Sequence, residues 1–73
     1  MKIVYAVSVI KKLKKINPAD KNKIKKKIES LKTDPLVGKL LKGEFAGLRS
    51  LKAWPLRLIY SFDAQAKIIY LIT

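Results

Sequence analysis

The hydrophobic period of this chain changes once, and that change bounds the folds open to it. Between Ile10 and Leu31 apolar residues recur every three or four positions, whereas after Gly47 they alternate or run together to the last residue. A period of three to four lines up one stripe of a helix, and a period of two lines up one face of a strand. Helices followed by strands separate into a sheet with helices packed on one side, an α+β arrangement.

The first segment, Lys2 to Ala6, precedes the helical pattern and reads as a strand, because Ile3, Val4 and Tyr5 favour extended backbone. Ser8 is placed to cap a short helix whose stripe is Ile10, Leu13 and Ile16. Asn17 and Pro18 suit the cap and first position of a second helix, with Asp20 in its first turn and a stripe of Ile24, Ile28 and Leu31. The two helices form a hairpin across a tight turn, and Asp34-Pro35 ends the second. An irregular connection from Leu36 to Gly47 holds all three glycines, so its backbone turns sharply or approaches something closely.

Three strands are expected beyond it, Leu48 to Ala53, Leu56 to Phe62 and Lys67 to Thr73, separated by Trp54-Pro55 and by the polar turn Asp63-Ala64-Gln65-Ala66. Short connections make them an antiparallel meander. "KIIYLIT" is apolar on both faces, which suits a central strand able to pair with the first strand on its other side. The expected fold is therefore α+β: an N-terminal strand, a two-helix hairpin and an antiparallel meander, with the helices on one face of the sheet.

Composition narrows the chemistry. With 73 residues the chain forms one domain over 1–73, too small for a large enclosed cavity. It has no cysteine and no histidine, which removes disulfides, thiolate metal sites, thiol nucleophiles and the usual acid-base residue. The five carboxylates are scattered, so no metal or cofactor is expected, and "GKLLKG" lacks the spacing of a nucleotide-binding loop. Seventeen Lys and Arg against five Asp and Glu give +12, a field that favours polyanions. No stretch reaches the roughly 18 apolar residues of a membrane span, and "MKIVYAVSVI" reads as a buried strand rather than a leader, so a cytoplasmic location is expected.

Alternation along Leu56 to Phe62 puts Leu56, Leu58, Tyr60 and Phe62 toward the helices and Arg57, Ile59 and Ser61 on the open side. On the preceding strand Leu48, Ser50 and Lys52 share one face and Arg49, Leu51 and Ala53 the other. A hairpin then brings Lys52 and Arg57 together on an open surface, with Lys39 and Lys42 available to extend the patch. Two exposed sheet residues with aliphatic stems over apolar neighbours fit the same spacing. The helix lysines add diffuse attraction for phosphate without sequence information.

Laid out in this order, the residues resemble the RelE/ParE superfamily of bacterial and archaeal type II toxins. The resemblance rests on Asp34-Pro35 at a helix end, Leu41-Lys42-Gly43, Gly47-Leu48 and Arg57-Leu58-Ile59-Tyr60, and it covers nearly the whole chain. It implies a RelE-like, metal-independent, ribosome-dependent endoribonuclease acting on mRNA, with Arg57 and Lys52 as the catalytic cations and Arg49, Lys39, Lys42 and Ser50 as nucleic-acid contacts. It also implies a cognate acidic antitoxin. The alternatives are a ParE-like, non-enzymatic inhibitor of DNA gyrase and a basic RNA-binding domain without catalysis. Ser50 and Leu48 stand where some nucleases of the family carry basic residues, and the family usually continues past the last strand with a basic residue and often a tyrosine. The chain stops at Thr73, so weakened or lost cleavage is expected, as is a domain cut short at that end.

Overall fold

The computed structural model describes residues 1–73 as five strands and two helices. Strand β1 (Lys2–Tyr5) leads into α1 (Val7–Lys15) and α2 (Pro18–Thr33), followed by β2 (Lys39–Leu40), a 3-10 turn (Gly43–Phe45), β3 (Arg49–Ala53), β4 (Leu56–Asp63) and β5 (Ile68–Leu71). The strands lie side by side in the order β1-β5-β4-β3-β2. Neighbours are antiparallel except β1 and β5, which run parallel. The strand expected at the centre therefore does lie between the first strand and the meander. No helix is long and apolar enough to cross a membrane.

Local chemistry accounts for α2. The Asn17 side chain accepts a hydrogen bond from the Asp20 N–H at 2.9 Å, Pro18 occupies the first turn, and Asp34 caps the other end. Ile24, Ile28 and Leu31 are fully buried, each worth about 1.5–3 kcal/mol relative to exposure. Around them the lysines stay in water.

Helix α1 differs from its sequence reading in two ways. Ala6 stands at the cap position, and the Ser8 hydroxyl instead donates to the Ile72 carbonyl at 2.9 Å. The buried stripe is Val9 and Leu13, with Ile16 packed beside them, while Ile10 faces solvent. Long-range ties set this rotation: Lys12 Nζ also reaches Thr73 Oγ1 at 2.8 Å, so α1 is fastened to the chain just beyond β5.

One face of the sheet closes on both helices. Leu51, Ala53, Leu58, Tyr60, Ile69 and Leu71 join Val9, Leu13, Ile24, Ile28 and Leu31 in one apolar cluster. Strand β3 begins one residue later than expected. Strand β5 stops at Leu71, and Ile72 and Thr73 both hydrogen-bond to Ile59, two residues opposite one in a β-bulge.

The 36–47 connection is less irregular than its composition suggests. Residues Lys39 and Leu40 form a fourth meander strand against Ser50 and Arg49. Two residues give no alternation to read, so long-range contacts place them. Tyr60, wholly buried in the middle of β4, donates its hydroxyl hydrogen to the Pro35 carbonyl at 2.7 Å and accepts from the Gly38 N–H at 3.0 Å. Gly38 is needed for closeness: a Cβ there would lie 2.7 Å from the Tyr60 oxygen and 3.0 Å from the Ser50 carbonyl. Gly47 serves a turn instead, with φ at +89°.

Burial raises the Tyr60 phenol above its ordinary value near 10.0, with Asp34 adding to the rise and the Gly38 hydrogen bond and Arg49 opposing it. The unfolded chain thus ionises this group first. Its contribution to stability is complete below pH 10 or so and is lost as pH climbs through the folded-state value.

Replacing Tyr60 by Phe keeps the ring and strands one buried N–H and one carbonyl, for a loss of about 2–3 kcal/mol in chemical unfolding. The variant should also lose part of the alkaline decline in stability. An unchanged unfolding midpoint across pH would show that the hydroxyl anchors nothing.

Candidate functional site

The face of the sheet away from the helices carries the cations. Register puts Lys52 directly opposite Arg57 across β3 and β4, and Lys39 opposite Ser50 across β2 and β3. Opposed residues share a face with Cβ atoms about 4.5–5.5 Å apart, where like charges repel. Lys39, Leu41, Ser50, Lys52 and Arg57 together surround a shallow depression of about 320 Å³. None of these five residues is acidic.

The protein offers that patch little internal neutralisation. Its one ion pair, Lys32 with Glu29 at 3.2 Å, lies on α2. The same two charges act on Tyr5, whose phenol is raised mainly by burial, further by Glu29, and lowered by Lys32. The open-face cations have only solvent and whatever anion approaches.

Two of the six residues singled out in the sequence stand apart. Arg49 alternates with Ser50 and so projects on the same side as Leu51 and Ala53, toward the helices. Its Nη1 donates to the Gly38 carbonyl at 2.9 Å and to the Leu36 carbonyl at 3.2 Å, so it holds the loop that delivers β2. Lys42 follows Leu41 at the start of the 3-10 turn and does not line the depression. Lys39, Ser50, Lys52 and Arg57 are brought together.

Sequence reading overlooked Leu41 as a wall of the depression and overlooked an approach of α2. Lys23, Lys26 and Lys27 meet Lys52 and Trp54 around a second hollow. Only the fold brings these distant segments together; the isolated Trp beside Pro in a hairpin turn was the available signal.

In chemical terms, a guanidinium, two ammonium groups and a hydroxyl converge on an open, carboxylate-free surface. Such a group can bind a phosphodiester and stabilise extra negative charge as it develops on phosphorus-bound oxygens.

Comparison with known proteins agrees with this fold. A family model for the ParE-like toxin of type II bacterial toxin–antitoxin systems matches residues 3–73. The chain belongs to that toxin family. Among solved structures, this ParE-like toxin is similar to a chain of the RelBE2 toxin–antitoxin complex from Mycobacterium tuberculosis, at 25% identity with TM-score 0.85, covering 96% of this chain and 89% of that one. A chain of the intact E. coli RelBE toxin–antitoxin complex matches at 15% identity and TM-score 0.80, covering 99% of this chain and 90% of that one. A mutant of the E. coli toxin RelE in the free state matches at 15% identity and TM-score 0.77, covering 99% and 78%. No functionally curated protein matches in sequence.

Within this toxin fold the Arg49 contacts carry a test. Arg49→Ala should leave helix content intact and lower stability by about 1–2 kcal/mol, since its bonds are charge-assisted but partly exposed. Amide exchange at Gly38 and Lys39 should quicken more than at Leu58. Uniform quickening would mean that the guanidinium supports the sheet in general rather than this loop.

Proposed function

We propose that the protein is a RelE-like toxin that cleaves mRNA on the ribosome and so arrests translation. The single observation that carries this is the carboxylate-free depression where Lys39, Ser50, Lys52 and Arg57 meet. In this reading the scissile phosphate lies against Arg57 and Lys52. The ribose 2′-hydroxyl loses its proton to water as its oxygen bonds to phosphorus, and the 5′-oxygen leaves and takes a proton from water, giving a 2′,3′-cyclic phosphate and a 5′-hydroxyl; the two cations neutralise the charge that builds on the non-bridging oxygens. Lys39 and Ser50 hold the adjoining backbone. Arg49 acts through the loop it clamps, by keeping Lys39 in register, and Lys42 lies further along the strand's path.

Arg57 suits this role because its planar fork contacts two phosphate oxygens at once. An acidic antitoxin is the complementary partner: a chain with +12 and one internal ion pair offers it most of its surface. The similar RelBE2 and RelBE chains come from toxin–antitoxin complexes, which supports such a partner.

A second reading draws on the family model, which is named for ParE-like toxins. In it the same basic face binds DNA gyrase without chemistry, and a supercoiling assay distinguishes the two.

With translating ribosomes, Arg57→Ala should cut the rate of A-site mRNA cleavage about 100-fold or more, the scale for losing one transition-state charge contact. Lys25→Ala, on the exposed surface of α2, should change it less than about threefold, since it removes only diffuse field. Equal losses would reduce the site to general electrostatics. Supercoiling inhibition with no mRNA cleavage would replace the nuclease by the gyrase reading.

A further inference from the structure

Trp54 is 85% exposed at the tip of the two-residue turn between β3 and β4. It is the only tryptophan in the chain, and so large a ring left in water retains the apolar contact that a ligand would collect. Between this turn and α2 lies a hollow of about 570 Å³ lined by Lys23, Lys26, Lys27, Lys52, Ala53 and Trp54. The three helix lysines stand three and four residues apart, on one side of α2. A neighbouring hollow of about 340 Å³ runs from Trp54 and Lys52 to Arg57. No carboxylate lines either one.

A flat aromatic face beside a row of ammonium groups matches the two halves of a nucleotide, base and phosphate. Paired bases are stacked out of reach inside a duplex, so the matching form is single-stranded. A protein side chain anchored here would want an enclosed apolar pocket, whereas this hollow is open, with Ala53 and Trp54 its only apolar residues and lysine stems the rest of its wall. We propose that this hollow is a subsite for single-stranded RNA. An unpaired base stacks on Trp54, and the adjoining phosphates lie along Lys23, Lys26 and Lys27. Lys52, shared by all three hollows, joins the subsite to the open-face depression. The proposal rests on the RNA-acting reading above in taking RNA as the polyanion.

The lone tryptophan reports on the subsite directly. The full chain is titrated with a six-nucleotide oligoadenylate bearing 2′-O-methyl sugars, which binds but cannot be cut through its 2′-hydroxyl. Saturable quenching of Trp54 fluorescence is expected. By anisotropy of the labelled oligonucleotide, Trp54→Ala should weaken binding about tenfold and Trp54→Phe should restore most of it. Replacing Lys23, Lys26 and Lys27 by Ala should lower the slope of log affinity against log salt by about 2, near 0.7 for each phosphate contact. The exposure of Trp54 lets both ring variants fold, as circular dichroism should verify.

Undiminished binding by Trp54→Ala overturns the proposal. So does equal quenching by a hexaglutamate peptide, which marks a protein-docking face, or equal Trp54-dependent binding of the same oligoadenylate annealed to oligouridylate as a duplex. The two readings fail separately. Oligonucleotide binding through Trp54 without ribosomal cleavage sinks the nuclease and leaves the subsite; cleavage with oligonucleotide binding indifferent to Trp54 sinks the subsite alone.

Discussion

The Tyr60 hydroxyl fixes the loop that leaves α2, and the basic edge of the sheet is arranged by that contact. It donates a hydrogen bond to the Pro35 carbonyl and accepts one from the Gly38 N–H, so the backbone just before Lys39 is tied to the centre of β4. Arg49 closes the same loop from β3. A strand of two residues has too few ladder bonds to hold its own register. Bonded to the core in this way, it keeps Lys39 across from Ser50 and one step from the Lys52–Arg57 pair. Side chains pointing into the core and cations pointing out of it are thus parts of one arrangement.

The cations are arranged at some expense to the folded state. Like charges sit opposite one another on β3 and β4, and lysines crowd α2 with a single acidic partner on its surface. Self-repulsion of this kind weakens a compact state, and any polyanion that binds the folded form offsets it by mass action. Stability and recognition are therefore coupled through the same residues.

Signals local to a few residues carried most of the fold. Asn17 and Pro18 mark the start of α2, Asp34-Pro35 its end, and alternation over Leu56 to Phe62 shows which side chains enter the core. The two-sided apolar run of β5 reveals its central place between β1 and β4. What escaped depends on distant partners. The rotation of α1 that buries Val9 and exposes Ile10 follows from Ser8 and Lys12 reaching residues 72 and 73. The two-residue β2 rests on Tyr60, 22 positions from the Gly38 N–H it holds. For the candidate site, register could be inferred for Lys52 and Arg57 from one short turn. The meeting of Trp54 with the lysines of α2 needed the packed tertiary structure.

The parallel pairing of β1 with β5 sets an order of assembly. Strand β1 and the start of α1 emerge first from synthesis, yet their hydrogen-bonding partners run from Lys67 to Thr73. Contacts so far apart in sequence form only after the intervening loop entropy has been met. A nascent chain short of β5 lacks the strand that joins β1 to β4, and with it Ile69 and Leu71 of the floor beneath its helices. The first strand is thus left without its partner until Ile68–Leu71 have been made, although it is the earliest element of the sheet.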